Sequence, residues 1–151
     1  MKFCKIHIAI LISLVIFLIS LTQDCMTYQY FRTVEYPSFY ALLFGWMHFG
    51  GGGLSEGCIW LANPFYFTGL FLLHKKKVDT AVLSLIVSSV LALLFLTFEN
   101  LTMTKSGRIA PIIELSSGYF LWLVAILFAA FSSIYLKLKN WTSKNINRNG
   151  L

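Results

Sequence analysis

The chain has 151 residues, of which 58% are hydrophobic and only 12% charged, whereas about one quarter of the residues in soluble domains are charged. This composition argues against a soluble fold, and the length suits one membrane domain with short tails. The net charge of +6 would suggest nucleic acid in a soluble protein, but here the basic residues lie beside hydrophobic runs, where they set topology and contact anionic lipid. We therefore expect the lipid bilayer as a partner and no nucleic acid.

The first predicted span covers residues 6–22, a run without a full charge that follows a short basic leader. Such a run suits both a minimal spanning helix and the core of a signal peptide. Gln23, Asp24 and Cys25 follow it, and this exit lacks the small residues that cleavage needs. We predict an uncleaved first transmembrane helix.

Residues 23–40 mix charged side chains with many tyrosines and phenylalanines. Amphipathic aromatic rings gather at the depth of the lipid headgroups, so this segment is predicted to be an interfacial loop. Pro37 and Ser38 then open a short helix that continues to Phe49 and lies on the membrane or dips into it. The glycine run that follows ends this helix.

Gly50, Gly51, Gly52 and Gly53 form the glycine-rich turn. Non-helical backbone survives at membrane depth only where protein or water covers it, so the turn is either interfacial, which we favour, or re-entrant. A helix that began at Asn63 would be only about 18 Å long, too short for a hydrocarbon core of ~30 Å. We therefore predict one second span, residues 54–74, kinked near Pro64 because proline lacks an N–H.

Residues 79–98 form the third predicted span, and residues 111–136, which begin at Pro111, form the fourth. A basic tail, residues 137–151, is predicted to be disordered beyond Trp141. Small residues recur every four positions in both spans, which places them on one helical face and lets another helix approach closely. The predicted helix-packing seams contain Thr80, Ser84, Ser88 and Ala92 in the third span and Ala125, Ala129 and Ser133 in the fourth.

The predicted fold class is all-α, a polytopic membrane protein with four transmembrane helices and a re-entrant or interfacial glycine-rich segment before the second. The whole chain forms a single membrane domain. Nine basic residues fall on one side of this topology, and only Arg32, Lys105 and Arg108 fall on the other. Orientation follows this bias in short loops, so both termini are predicted to be cytoplasmic.

No catalytic or metal-binding constellation is evident. His7, His48 and His74 lie in separate segments without the spacing of metal ligands. Motifs for a nucleophile elbow, a zinc protease helix or a phosphate loop do not occur. The sequence therefore predicts a protein that is not an enzyme, with no catalytic residue, metal or cofactor.

Four polar residues, Glu56, Asn63, Glu99 and Glu114, are predicted to form a shallow pocket at the outer rim of the bundle, roofed by residues 46–53. The free energy of placing a charged carboxylate in a membrane is small at the rim and large at the centre. The three acids fall at the ends of predicted helices, near the rim. The alternative is that each acid faces water, and that Glu56 and Glu114 are stabilised by helix N-termini. For any single residue we favour that alternative.

Cys25 and Cys58 are predicted near the outer face, where a disulfide could form if their Cα atoms lie within about 7 Å. Two free thiols are the favoured alternative, because Cys58 is expected to be buried within a helix.

Two strings carry a resemblance: Trp-Leu-Ala-Asn-Pro at residues 60–64 and Gly-Tyr-Phe-Leu-Trp-Leu at residues 118–123. They resemble a class of small four-helix bacterial inner-membrane proteins with no assigned function, over residues 45–125. The resemblance implies a bacterial source and the cytoplasmic membrane, and it supplies no catalytic residue or ligand.

Two functions fit these observations. The first is a non-enzymatic accessory or scaffold protein that acts by helix association, with a membrane-protein partner or as a homo-oligomer, because the seams favour packing over chemistry. The alternative is a subunit of a small oligomeric channel or transporter that uses the broken segment from Gly50 to Pro64.

Overall fold

The computed structural model describes residues 2–104, 106 and 108–149. The chain forms two layers, a bundle of long helices and a cap of strands and short helices. The bundle contains α1 (Lys2–Ser20), α5 (Ala62–His74), α6 (Val78–Leu94) and α7 (Ser117–Asn149). The cap contains β1 (Asp24–Tyr30), β2 (Arg32–Pro37), α2 (Ser38–Phe44), α3 (His48–Gly51), α4 (Leu54–Trp60), β3 (Asn100–Thr102) and β4 (Ile109–Leu115), with 3-10 turns at Gly45–Met47 and Phe95–Thr97.

The four long helices run alternately up and down. The cap segments lie where α1 and α6 end and where α5 and α7 begin, so the cap covers one end of the bundle. At the other end residues 75–77 join α5 to α6 in a tight turn. Asp79 and Lys137 form a salt bridge of 3.0 Å there, and the rings of His7 and His74 meet edge to face. The first residues of α1 and the last of α7 belong to this second end.

Hydrogen bonds to small polar side chains hold the bundle together. Ser13 Oγ donates to the carbonyl oxygen of Ala125 (2.9 Å) and accepts from the Tyr66 hydroxyl (2.7 Å), which joins α1, α5 and α7. Ser84 and Ser88 on α6 donate to carbonyl oxygens of α5. The predicted seams therefore pack helices of this same chain against one another.

Large apolar side chains cover the outside of the bundle. Leu11, Leu83 and Phe131 are 62%, 63% and 67% exposed, and each lies on a different helix. Two described stretches, Val78–Thr97 and Ser117–Thr142, are long and apolar enough to cross a membrane, with mean hydropathies of 2.4 and 2.1. The apolar part of α1 and the 13-residue α5 are shorter. Two of the four predicted spans therefore meet this criterion.

The four-stranded antiparallel sheet corrects the all-α prediction. Its strand order is β2-β1-β4-β3, with Tyr28 paired to Val34 and Leu101 to Ala110. Residues 23–40, predicted as an interfacial loop, form the β1–β2 hairpin instead. Aromatic and β-branched side chains suit a half-buried pleated surface, and β4 pairs with β1 to cover the other edge of that strand.

The fourth span also begins later than predicted, because Pro111 and Glu114 lie in β4 and not in a helix. α7 continues as a helix to Asn149, so the disordered tail prediction is wrong for the described residues. A helix over the third predicted span is confirmed within a residue or two as α6 and its 3-10 turn. The short helix after Pro37 is confirmed as α2 and α3, and it ends where Gly52 adopts a φ of 95°, which only glycine adopts readily.

Candidate functional site

A cavity of about 110 Å³ lies between the sheet, the short helices of the cap and the upper ends of α1, α5 and α7. Most of its wall is apolar. The apolar and aromatic lining residues are Phe17, Leu21, Met26, Tyr36, Ala41, Leu42, Ile59, Trp60, Phe95, Leu101, Tyr119 and Trp122. The polar ones are Ser20, Cys25, Ser38, His48, Glu56 and Asn63, and Gly45 and Gly118 complete the wall.

The helix break before Pro64 supplies one side of the cavity. Pro64 has no N–H to donate to the carbonyl of Trp60, and the side-chain amide of Asn63 donates to that oxygen instead (3.1 Å). The indole N–H of Trp122 donates to Asn63 Oδ1 (2.9 Å). The break between α4 and α5 at Leu61 is therefore closed by hydrogen bonds that also fix two large aromatic rings in the cavity wall. The single kinked helix predicted over residues 54–74 is therefore two helices, interrupted at Leu61 close to the predicted kink.

Trp60, which precedes the helix break at Leu61, also links α4 to α2 in the cap. Its indole N–H donates to the carbonyl oxygen of Leu42 in α2 (2.8 Å). The ring thus bridges α2 and α4 across the cavity, so that α2 forms part of the roof.

Glu56 lies in the first turn of α4 and is only 7% exposed. Its Oε1 accepts from the backbone N–H of Thr102 (2.6 Å), and its Oε2 accepts from the Ser55 hydroxyl (3.2 Å). Burial raises the pKa of this carboxyl, but the hydrogen bonds outweigh burial and the net pKa is lowered. Glu56 therefore remains an anion that ties α4 to the edge strand β3, beyond the end of α6.

Ser38 lies at the start of α2 and is 6% exposed. Its backbone N–H donates to the carbonyl oxygen of Gln23 (3.0 Å). Ser38 lines the cavity and its hydroxyl lies against Gly118. Within the described residues this hydroxyl is the buried side-chain polar atom that has no hydrogen-bond partner. A side chain at Gly118 would also meet the carbonyl oxygen of Asp24 at 2.6 Å, so glycine is required at this close approach.

The structure brings together two of the four predicted pocket residues. Glu56 and Asn63 both line the cavity. Glu99 and Glu114 are exposed and do not line it, because Glu99 precedes β3 and Glu114 lies on the outer face of β4 instead of at a helix start. The three acids therefore do not converge on one centre.

The predicted glycine-rich roof is present in part. A Cβ at Gly53 would lie 2.8 Å from Glu56 Oε2 and 3.0 Å from His48 Nδ1, so both side chains pack against Gly53. Gly50 and Gly51 have no neighbouring side chain or distant backbone within 4 Å of a Cβ position. Sequence reasoning missed His48 and Ser38, whereas Trp60 and Trp122 were contained in the two quoted strings.

Cys25 and Cys58 are both free thiols in the structure, the first buried and the second exposed. The Cys25 thiol donates to the carbonyl oxygen of Tyr36 (3.1 Å), and burial raises its pKa to about 12. Cys25 therefore acts as a structural residue of the β1–β2 hairpin.

The chemistry of the lining favours binding. No group of three or more His, Cys, Asp or Glu side chains that could hold a metal ion occurs in the described part of the chain. An apolar cavity with a few fixed polar groups is the usual form of a small-molecule site. Comparison with known proteins finds no matching family model, curated protein or solved structure.

Proposed function

We propose that this chain is a multi-pass protein of a bacterial inner membrane that acts without catalysis, by binding a compact apolar molecule in the cavity beneath its cap. The observation that carries the proposal is the cavity itself, an apolar space of about 110 Å³ at the junction of the cap and the bundle. For scale, an apolar cavity of about 150 Å³ takes up benzene.

Four crossings of the membrane fit the arrangement of the helices. The 19 residues of α1 give about 28 Å at 1.5 Å per residue, close to a hydrocarbon core of ~30 Å. The shorter α5 is extended towards the cap by the last turn of α4, whereas the first turn of α4, with Glu56, lies in the cap. Apolar side chains face outward on the bundle, which is the pattern expected where lipid surrounds it.

The charges support a cytoplasmic location for both termini. Lys75, Lys76, Lys77, Lys137 and Lys139 all belong to the end of the bundle opposite the cap. Basic residues accumulate on the cytoplasmic side of short connections. The cap would then face the periplasm.

Helix association between proteins loses its main support, since six of the seven seam residues are buried inside this bundle, and only Thr80 is exposed. Ser88 and Ala92 are 0% exposed, as is Ala125. An accessory role for this protein would therefore work through the cap and its ligand. The channel alternative uses the broken segment from Gly50 to Pro64, and at the Pro64 end of this segment the polar groups bond to one another.

The proposal is tested by binding of a small apolar probe, xenon, which enters apolar cavities of this kind, to the purified protein in nanodiscs, followed by ¹²⁹Xe NMR. Ala41→Phe places a large side chain in the cavity wall, whereas Val90→Phe adds a similar side chain on an outward face of α6. We expect the wild type and Val90→Phe to bind the probe beyond its partition into empty nanodiscs, and Ala41→Phe to lose this binding. Equal signals from all three proteins would refute the proposal.

A further inference from the structure

A groove of about 280 Å³ lies between α1 and α7, at the end of the bundle opposite the cap. Most of its surface is apolar, and Ile6 and Ala9 of α1 face Leu136 of α7 across it. The α7 residues that line the groove recur every three or four positions from Ser132 onward, so they share one face of that helix. The groove therefore follows the two helices along their length.

Polar side chains line the same groove farther from the cap. Lys139 and Asn140 lie one turn beyond Leu136 on α7. The ammonium group of Lys139 lies over the ring of Tyr135, 6.0 Å from its centroid. Within the described residues Lys139 forms no ion pair, whereas its neighbour Lys137 pairs with Asp79. The charge of Lys139 is therefore available to a ligand in the groove.

The charge around the groove is positive. Lys75, Lys76 and Lys77 lie at the same end of the bundle, in the turn between α5 and α6. Five of the six acids of the chain belong to segments of the cap, and the sixth, Asp79, is paired with Lys137. Basic pockets between membrane helices on the cytoplasmic side are typical sites for anionic lipid headgroups.

We infer that this groove binds one anionic phospholipid, with an acyl chain against Ile6, Ala9 and Leu136 and the phosphate at Lys139. A soluble phosphate would leave the apolar part of the groove uncovered, and an apolar helix of another protein would leave Lys139 without a counter-charge. A phospholipid covers both parts. The inference rests on the proposed placement of this end of the bundle in the cytoplasmic leaflet, and it does not depend on the ligand beneath the cap.

The charged contact is tested by native mass spectrometry of the delipidated protein in detergent, titrated with phosphatidylglycerol or with zwitterionic phosphatidylcholine of the same acyl chains. The wild type should bind one phosphatidylglycerol more tightly than one phosphatidylcholine. Lys139→Gln should weaken the binding of phosphatidylglycerol about fivefold, the effect expected for one lysine near an anionic lipid. Lys75→Gln is the matched control, since it removes the same charge at the same end and does not line the groove. It should bind as the wild type does.

The apolar part of the groove is tested with Ala9→Phe, whose ring would occupy the space of the acyl chain. This variant should lose the binding of both lipids. Ile8→Phe is the control, because Ile8 is exposed on α1 and does not line the groove, and it should keep both. Thermal unfolding checks that each variant folds, and Ala9→Leu replaces Ala9→Phe if the larger side chain prevents folding.

Equal binding of phosphatidylglycerol by the wild type, Lys139→Gln and Ala9→Phe would refute the site. An effect of Ala9→Phe without any effect of Lys139→Gln would refute the contact between Lys139 and the phosphate. A phospholipid is far heavier than any molecule that fits the cavity of about 110 Å³ beneath the cap, so the mass spectrum separates the two ligands. Ala41→Phe, which fills that cavity, should still bind the phospholipid, and either proposal can fail while the other stands.

Discussion

Individual residues at the cavity differ in how far the sequence could indicate them. Glu56 and Asn63 were found because each has a local signal, an acid near a helix start and an amide before a proline. Ser38 and His48 have no such signal, since their positions depend on how the sheet packs over the bundle. Glu99 and Glu114 were misplaced because the segments that contain them were assigned to helices and a loop. Local capping chemistry was therefore predictable and packing across the layers was not.

Gly118 gives the first prediction. Gly118→Ala should destabilise the protein by about 1–3 kcal/mol, the usual cost of overpacking, because the new Cβ would meet the carbonyl oxygen of Asp24 at 2.6 Å. This loss should exceed the gain of about 1 kcal/mol in helix propensity. Gly50→Ala is the control, since no side chain or distant backbone lies within 4 Å of its Cβ position. Equal thermal midpoints for the two variants would contradict the close approach of α7 to β1.

The two outer cysteines give the second prediction. Burial raises the pKa of Cys25 to about 12, so almost no thiolate is present at pH 8, and the thiolate is the reactive form. We expect iodoacetamide to label Cys58 in the folded protein and Cys25 only after unfolding, as peptide mass spectrometry would show. Labelling of Cys25 at the rate of Cys58 would contradict its burial, and protection of both thiols until reduction would indicate a disulfide.

The secondary-structure elements were predicted well where hydropathy decides them and poorly in the cap. α6 matches its predicted span because a long apolar run between lysines and a polar loop indicates a long apolar helix. The hairpin of β1 and β2 was missed because its tyrosines fit a membrane interface as well as a strand. β4 was missed because Pro111 suggested a helix start, although proline is also tolerated in strands at positions that need no N–H.

The contact between α4 and β3 gives the third prediction, which concerns pH. The pKa of Glu56 is lower in the folded protein than in the unfolded chain, so its charge stabilises the fold above the unfolded pKa. This contribution disappears as the pH falls through the folded pKa. Glu56→Gln should cost about 1 kcal/mol at neutral pH and flatten the decline of thermal stability in acid. Exposed Glu99→Gln should leave the wild-type profile unchanged, and an identical profile for Glu56→Gln would contradict the tie to Thr102.

At the scale of the whole molecule, the cap follows from where the chain leaves the bundle. Two connecting segments, one from α1 to α5 and one from α6 to α7, emerge at the same end, and the strands within them pair into one sheet. Hydropathy indicates which segments are apolar, but long-range strand pairing is specified by register and packing across distant parts of the chain. The sheet of the cap, which covers the cavity, therefore could not be predicted from the hydropathy pattern.

The proposed topology gives the fourth prediction. Reporter fusions placed after Thr104, in the cap, and after Asn149, at the end of α7, should lie on opposite sides of the membrane. The basic residues at the second end should keep Asn149 in the cytoplasm. Finding both reporters on the same side would refute the four-span arrangement.

The central claim is that the cavity beneath the cap holds a small apolar ligand, and the most direct measurement is native mass spectrometry of protein extracted gently from its own membranes. We expect the wild type and Val90→Phe to carry an adduct of one defined mass, and Ala41→Phe to lack it, because the added ring occupies the cavity. Wild-type protein without an adduct, or Ala41→Phe with the same adduct as the wild type, would contradict the claim.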